Sequence, residues 1–470
     1  MPTSKVYIVT DLGPGDGGKG GVVHKLCTLR KPHTVIKVGG SQGSHGVRTF
    51  RGQSFNFSFF GCGTLEGTRT HISRNMVFDP MGLIHEGRLL RYTCGSENIF
   101  DLMTVDEDAV CSTPFHTMST QLRELARRDN PRGTIGTGVG EAYEDASRYP
   151  LLSIVAGDLC RSDLRDMLEE IRRQKIQDLQ SILEAGPECF LPADRETAQE
   201  LTKMFLNERF SKETAKRFQE MHSLVKVVAY DYLRSTILAR EGVAVVESSH
   251  GVLTDKFFGF YPHTSKLRTI PQMTFSMLVD DCGYTGEIVH LGVTRAYSIR
   301  HGAGPMPTED SIMLETLLPG SHKEENRWQG KVRVGPLDTV LLRYAIEVCG
   351  GPHVFDGIAL TWFDQIEKNG IWRICTDYGD MHSGFPLFFN LKGDLYVNWF
   401  YVVDDDQHFQ KMEELGTILQ GVKPHIMEYR VRDLAMKDRI ALAQNVVHTL
   451  TRVPARMISL GPTERDKVLC

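Results

Sequence analysis

No stretch of the 470-residue chain approaches the ~20 consecutive apolar residues that a membrane-spanning helix needs. The first residues lack the apolar core of a secretory signal, so a cytoplasmic protein without a membrane partner is expected. The ten cysteines are scattered without one Cys-x-x-Cys pair, which excludes a zinc ribbon or a dense disulfide framework. Basic charge is not in excess either. The 54 Lys and Arg stand against 59 Asp and Glu, a net charge of −5, so no surplus exists to neutralise a nucleic-acid backbone. Internal repeats, low-complexity tracts and linkers are also missing, which favours one elaborated domain although length alone suggests two or three. The hydrophobic fraction of 41% and charged fraction of 24% are those of an ordinary soluble globular protein.

One further absence bears on chemistry: there is no Asp or Glu from Gly17 through Leu65. The chain opens with Val6-Tyr7-Ile8-Val9-Thr10-Asp11-Leu12, then Gly13-Pro14-Gly15-Asp16-Gly17-Gly18-Lys19-Gly20-Gly21, then Val22-Val23-His24-Lys25-Leu26 at helical spacing. Strand, glycine loop and helix together offer backbone N–H groups and a helix N-terminus to a phosphate. Gly13-x-Gly15-x-x-Gly18 fits a dinucleotide fingerprint, but that site wants an acidic residue about 20 positions on for the ribose hydroxyls, and none exists. Gly13-x-x-x-x-Gly18-Lys19 fits a phosphate loop, yet the Ser or Thr that should follow to ligate magnesium is Gly20. A carboxylate, Asp16, lies inside the loop instead. Among phosphate-binding amides it would repel the ligand unless it shares a Mg²⁺ with it or takes a proton from the substrate. On turn chemistry alone the stretch is a glycine-rich turn with a solvated Asp.

Thr34-Val35-Ile36-Lys37-Val38 reads as a second buried strand, ending in Gly39-Gly40-Ser41-Gln42-Gly43-Ser44-His45-Gly46. Loops after successive parallel strands are expected side by side at the edge where open α/β folds bind ligands, so His45 would face Asp16. Taken alone, a loop histidine is a surface residue. Between Met81 and Arg128 apolar positions such as Met118, Leu122 and Leu125 recur at helical spacing. A third glycine loop, Arg132-Gly133-Thr134-Ile135-Gly136-Thr137-Gly138-Val139-Gly140, is either another phosphate site or a flexible connector. Residues 160–240 are expected to form a helical insertion packed on the sheet, with Ser162 as an N-cap.

Further strands are read at Val243-Ala244-Val245-Val246-Glu247, from Ile288 to Tyr297, at Gly357-Ile358-Ala359-Leu360-Thr361 and from Tyr396 to Val403. Helices are expected from Leu337 to Cys349 and from about Leu434 to Leu450. Residues 305 to 336 are polar, and Arg327, Lys331 and Arg333 there could clasp a carboxylate or phosphate, or simply belong to a solvated loop. Asp364, just past a strand, could accept two hydrogen bonds from a guanine edge or cap a helix.

These loops, in this order, resemble the adenylosuccinate synthetase family, GTP-dependent ligases that join IMP to L-aspartate. The family's Gly-Asp-Glu-Gly-Lys-Gly-Lys is Gly15-Asp16-Gly17-Gly18-Lys19-Gly20-Gly21 here, and its Gly-Gly-x-Asn-Ala-Gly-His-Thr is Gly39 to Gly46. Its Gly-Thr-Thr-Gly-Arg-Gly-Ile-Gly-Pro-Ala-Tyr-Glu-Asp matches Gly133 to Asp145. Lys-Ala-Tyr-Ser-Thr-Arg-Val-Gly-x-Gly-Pro-Phe-Pro-Thr-Glu matches Arg295 to Glu309. Leu337-Asp338-Thr339 and Gly461-Pro462 match its later blocks. The resemblance implies one α/β domain over residues 1–470, with a central, mostly parallel sheet, a P-loop-like phosphate loop and helical insertions. It implies Asp16 as general base and Mg²⁺ ligand, with the backbone carbonyl at Ser44 completing the metal site. His45 would donate to the phosphate oxygens, and Lys19 would hold the transferring phosphate. GTP would lie on Gly15, Gly17, Gly18 and Gly20, its base against Asp364, Trp362, Ser459 and Gly461. The acceptor nucleotide would meet Gln42, Ile135, Gly136, Arg148, His250 and Ser265, and the amine substrate Gln329, Lys331 and Arg333. Family members are homodimers in which an Arg of the neighbouring subunit reaches the nucleotide, and Arg148 stands one position off that Arg.

The departures concentrate in two pockets. The family's Asn and Gln at the hypoxanthine edge correspond to Gln42 and His250, and the following Thr to Ser265. The Thr that binds the IMP phosphate is Ile135, and the Arg two positions on is Thr137. The aspartate loop Thr-Thr-Gly-Arg-x-Arg has become Trp328-Gln329-Gly330-Lys331-Val332-Arg333, and Thr-Lys-x-Asp at the guanine has become Thr361-Trp362-Phe363-Asp364. A Lys for a bidentate Arg is not a neutral exchange, and an indole can stack on a base where a Lys stem packed. Two expectations follow: a C–N ligase that keeps the chemistry on IMP and aspartate or on other substrates of a specialised pathway, or a nucleotide-binding homologue without catalysis. Retention of both Asp16 and His45 favours the ligase.

Overall fold

A computed structural model describes residues 3–317, 327–379 and 406–470, with the backbone of 389–390 and 396–397. The first half of the chain contributes β1 (Thr3–Asp11), β2 (Thr34–Gly40), the short pair β3 (His45–Arg48) and β4 (Ser54–Phe57), β5 (Arg69–Val77), β6 (Met103–Asp106) and β7 (Lys226–Val228). The second half adds β8 (Gly242–Gly251), β9 (Glu287–Arg295), β10 (Tyr297–His301), β11 (Val332–Asp338), β12 (Gly357–Thr361) and β13 (Ile371–Gly379). It ends with β14 (Phe389–Asn390), β15 (Tyr396–Val397), β16 (Lys423–Arg430), β17 (Ala455–Ser459) and β18 (Lys467–Leu469).

Ten strands form one sheet in the order β18-β17-β12-β9-β1-β8-β2-β5-β6-β7, parallel throughout except for β18. Parallel strands covered on both faces need near-continuous apolar runs, and β1 alternates its load between the faces. Tyr7 and Val9 enter the core shared with helices Pro80–Cys94, Pro114–Ala126 and Leu164–Asp178, while Val6 and Ile8 pack with Ile36, Val246 and Leu278 on the other side. A second sheet, β10-β11-β13-β16, is built on another core with helix Thr339–Val348, around Ile299, Val334, Trp372 and Ile374. The mixed α/β class with a mostly parallel central sheet is the one expected. No described helix is long and apolar enough to cross a membrane.

Several local expectations change. β1 and β2 are not neighbours: β8 lies between them, pairing Val6 with Ala244 on one edge and Val35 with Val245 on the other. The run Ala244–Glu247 is fully buried, which suits it to an interior slot that a short edge strand could not fill. The stretch Ile288 to Tyr297 is not one strand. It breaks at Ala296, whose N–H donates to Thr361 and whose carbonyl accepts the Trp372 indole N–H, so β9 and β10 enter different sheets. The insertion is helical through Leu224, after which β7 closes the sheet edge. Its first long helix starts at Leu164 after Asp163, with no side-chain cap, and Ser162 lies outside it. The polar segment 305–336 contains helix Ser311–Leu317 and the start of β11, and of the expected strand from Tyr396 only the backbone of Tyr396–Val397 is described.

This topology fixes where ligands go. From β1 the chain winds outward through β2, β5, β6 and β7, returns into the β8 slot, and then proceeds the other way through β9, β12 and β17. The strand order therefore reverses around β1, and the crevice beyond the carboxyl ends of such strands is the binding edge of an open α/β sheet.

Candidate active site

At that edge the first loop folds over its own strand's carboxylate. Asp11, fully buried, accepts from the N–H of Gly13 at 2.9 Å, the N–H of Gly17 at 2.8 Å and the ammonium of Lys19 at 3.0 Å. Lys19 also donates to the carbonyl of His250, at the end of β8, at 2.6 Å. Lys19 and two loop amides expected to face a phosphate are thus turned onto Asp11 and β8. Sequence reasoning gave Asp11 no role; the signal was a carboxylate closing an apolar strand. Gly17 is also held through its carbonyl by the Thr361 hydroxyl at 2.6 Å, which ties the loop to β12.

Asp16 sits at the loop tip in the left-handed region, φ 58°. Its backbone carbonyl accepts from Arg295 Nε at 2.5 Å, and its Oδ2 lies 2.6 Å from Nε2 of His301. Arg295 and His301, at the ends of β9 and β10, were outside the residues singled out from the sequence.

His45 opens β3, and its packing brings the second loop onto the first. A Cβ at Gly20 would lie 2.7 Å from the carbonyl of Gly46 and 3.0 Å from the His45 Cβ, so only glycine permits this approach. His45 Nδ1 is 2.6 Å from Oε1 of Glu247, a fully buried carboxylate that also accepts from the Lys37 ammonium at 2.8 Å and the Cys62 N–H at 2.9 Å. Burial by itself would raise the Glu247 pKa, but the Lys37 charge, followed by His45, overrides it and holds the carboxyl well below its ordinary range. Burial depresses His45 against the pull of Glu247, so the imidazole is neutral at pH 7 with its Nδ1 proton on Glu247. The buried acid within β8 could have been found as a lone Glu closing the apolar run Val243-Ala244-Val245-Val246.

The remaining candidates divide between two sides of the crevice. On the β12 and β17 side, Trp362 begins helix Phe363–Asn369 at φ 60°, with the Arg295 guanidinium 4.2 Å from its ring. Burial raises Asp364, which accepts from Gln365 at 2.5 Å. Ser459 donates to the carbonyl of Gly461 at 3.0 Å, and Lys467, lowered to about 8 by burial, feels the charge of Asp364 from the same corner. Gly15 and Gly18 carry positive φ in the loop that faces this side.

On the β2 and β8 side, His250 is left-handed at φ 62° and partly buried, and desolvation followed by the charge of Lys19 lowers it to about 3. Its Nδ1 and the Oε1 of Gln42 are buried without a hydrogen-bond partner among the described residues. Ser265 accepts from Leu267 at 3.1 Å. Gly136 lies under Trp328, whose indole Cγ would be 2.8 Å from a Cβ there, so the amine loop is closed onto the third glycine loop next to Ile135. Arg333 is bound to the carbonyls of Gly302 and Gly304 at 2.6 and 2.8 Å and to Glu309 at 3.0 Å. Gln329 and Lys331 flank Gly330 in the same turn, with Lys331 exposed. Arg300, fully buried beside Arg333 and bound only to carbonyls among its described hydrogen bonds, is lowered to about 9 by burial and by that neighbour. Arg148 is not brought into this site: it stands exposed at the end of helix Val139–Arg148, over Tyr149.

The donor chemistry decides where Mg²⁺ fits. Two clusters among the described residues have metal-ligand spacing, His45–Cys62–Glu247 and Glu141–Asp145–Asp178. Each already holds an ammonium, Lys37 in the first and Lys175 in the second, so neither suits a hard dication. Asp16, part-exposed on the loop, offers the single carboxylate that Mg²⁺ uses when phosphates supply the other oxygens, and Ser44 is exposed at the end of the second glycine loop, just before β3.

The adenylosuccinate synthetase family model matches residues 8–468. Among curated relatives, the adenylosuccinate synthetase of Caldanaerobacter subterraneus is 28% identical over 471 residues, covering 99% of both chains. That of Thermoplasma volcanium is 27% identical over 380 residues, covering 80% of this chain and 79% of the other. Among solved structures, the fully ligated adenylosuccinate synthetase of Plasmodium falciparum superposes with a TM-score of 0.74 at 16% identity over 99% of both chains. The cyanophage S-2L succinoaminodeoxyadenylate synthetase bound to dGMP, with dATP as energy donor, superposes with a TM-score of 0.57 at 14% identity, over 99% of this chain and 95% of the other.

Proposed function

Because the chain belongs to the adenylosuccinate synthetase family, GTP-dependent ligases that form a C–N bond, we propose that it phosphorylates an amide-type oxygen of a purine-like acceptor with GTP. The amine of an amino acid then displaces the phosphate. The observation that carries this proposal is the pairing of a left-handed, part-exposed Asp16 with an adjoining loop whose His45 is anchored by a buried carboxylate. Such an arrangement suits proton abstraction next to phosphoryl transfer, where catalysis is positioning and charge stabilisation.

In this reading Asp16 takes the amide proton, so that the neighbouring oxygen becomes nucleophilic toward the γ-phosphorus. As the triphosphate's charge arrives, His45 takes up a proton from solvent to become imidazolium, keeping Nδ1–H on Glu247 and giving Nε2–H to a phosphate oxygen. Lys19 and the loop amides neutralise the rest once Lys19 leaves Asp11. Mg²⁺, held by Asp16 with the Ser44 carbonyl, would supply charge neutralisation on the phosphates. Trp362 and Asp364 receive the donor base; Arg333, Lys331 and Gln329, with Arg300 behind them, receive the carboxylate of the amine substrate. A cytoplasmic homodimer belongs to the same proposal.

The acceptor differs from IMP at its phosphate end. Ile135 lacks the hydroxyl and Thr137 the guanidinium that the family pattern has at these positions, and Trp328 covers Gly136 between them. A purine-type amide held by Gln42, His250 and Ser265 through its base fits this pocket better than a 5′-monophosphate. The test is GDP release from Mg·GTP with L-aspartate and, in turn, IMP, inosine and hypoxanthine. Turnover favouring an unphosphorylated acceptor supports the proposal. Efficient turnover of IMP with inosine inert refutes the altered acceptor but keeps the ligase, and GDP release with no acceptor or amine required refutes the ligase.

A further inference from the structure

Asp16 lies among Gly15, Gly17 and Gly18. A general base must meet its proton at about 2.6–3.2 Å between heavy atoms, so its direction matters. Two side chains from β9 and β10 act on this residue. Arg295 holds the Asp16 backbone carbonyl, and His301 Nε2 lies 2.6 Å from its Oδ2.

His301 is itself well fixed. Its side chain is 17% exposed, its backbone pairs with Val332 in the second sheet, and the following Gly302 N–H donates to the carbonyl of Lys331 at 2.9 Å. Its Nδ1 is buried with no hydrogen-bond partner among the described residues, so the ring proton belongs on Nε2, where the carboxylate accepts it. The motif that matches Arg295 to Glu309 has valine at this position, a residue with no donor.

We propose that His301 is a positioning residue for Asp16, its Nε2–H holding Oδ2 so that the carboxylate meets the acceptor's amide proton from one fixed direction. The proposal rests on the reading of Asp16 as general base. It assigns the imidazole no proton transfer and no contact with the reacting atoms.

Two variants separate this role from others. His301→Val restores the family residue and removes the donor, while His301→Gln keeps an N–H donor at similar reach and cannot titrate. With the best acceptor found by GDP release, His301→Val is expected to lose about 10- to 150-fold in kcat, the factor for a hydrogen bond to a charged group, with KM for GTP little changed. His301→Gln is expected to recover most of that loss. Wild-type kcat in His301→Val, or a His301→Gln variant as slow as His301→Val, overturns the proposal.

A second readout needs no substrate. Short imidazole-to-carboxylate hydrogen bonds give strongly downfield proton signals, and among the described residues three such pairs lie at 2.6 Å or less: His301 with Asp16, His45 with Glu247, and the exposed pair His425 with Asp377. One such signal should vanish in His301→Val and persist in Glu247→Gln, and its persistence in His301→Val overturns the proposal. If the wild type turns over no acceptor, the ligase reading fails, and this spectrum alone decides whether His301 holds Asp16.

Discussion

Replacing Glu247 with glutamine separates two functions of one buried carboxylate. Glu247 is fully buried and accepts from Lys37 at 2.8 Å, His45 at 2.6 Å and the Cys62 N–H at 2.9 Å. Burial pulls the Lys37 ammonium down, and Glu247 more than offsets it, keeping Lys37 above its ordinary value. Without that charge Lys37 either stays protonated and unpaired or gives up its proton. Removing one partner of a buried pair costs about 3–5 kcal/mol, so the urea midpoint of Glu247→Gln should fall by on the order of 1 M.

The amide has one carbonyl oxygen for the acceptor work of two, so the His45 contact weakens as well. That loss should lower kcat by about 10- to 150-fold if the contact orients His45 in the transition state. Lys37→Met in the same chain removes the stranded ammonium and should restore most of the stability but not the rate, a double-mutant cycle read by urea unfolding and GDP release. An unchanged midpoint in Glu247→Gln would show that the pair is not buried as described. Full recovery of kcat in the double variant would show that Glu247 serves Lys37 alone and that His45 needs no anchor.

Asp16→Asn keeps the shape and removes the base: GDP release should drop by at least about 10²-fold, and near-normal turnover would remove the assigned base. Trp362→Ala takes away the indole on which a base can stack beside Arg295, so GDP should bind roughly 5- to 30-fold more weakly; equal affinity would put the base elsewhere. Trp328→Ala uncovers Gly136, and the ratio of kcat/KM for IMP to that for inosine should rise; an unmoved ratio would show that the indole does not set the phosphate end. His250 is lowered to about 3 when folded and has an ordinary pKa of 6.5 when unfolded, so between those values the unfolded chain binds the extra proton and stability falls as pH falls. His250→Gln should flatten the stability profile from pH 6.5 to 5 by a slope that starts near half of, and approaches, about 1.4 kcal/mol per pH unit, and urea unfolding with a slope equal to wild type would contradict the neutral imidazole.

What could be read from the chain depended on range. β1, β2, β8 and β12 were legible because buried parallel strands are short, apolar and bounded by glycine loops. Their spatial order was not. Nothing within Thr34–Val38 says that a strand two hundred residues later pairs with both β1 and β2, because pairing is decided by which apolar edge remains when the insertion has folded back. The break at Ala296 was equally hidden, since alanine continues an apolar run and its two backbone bonds, to Thr361 and from Trp372, come from distant strands. Ser162 illustrates the smaller error of boundaries: a good capping residue one position early, displaced by Asp163, which starts the helix without a side-chain cap.

The same difference of range runs through the site. Phosphate-binding loops work with backbone amides and left-handed turns, so their signature is a run of glycines, and Gly13–Gly20 with Asp16 and Lys19 stood out. The groups that give those side chains a direction come from other strands: Asp11 beneath Lys19, Glu247 behind His45, and Arg295 and His301 against Asp16. Asp11, Arg295 and His301 are the last residues of β1, β9 and β10, and Glu247 closes the apolar run within β8. Burying a charged or hydrogen-bonding group there is costly unless it has a fixed partner, so strand ends that keep one are places where the fold has committed a side chain to a task. By that criterion Glu247 on β8 and His301 at the end of β10 belong with the glycine loops in the proposed site.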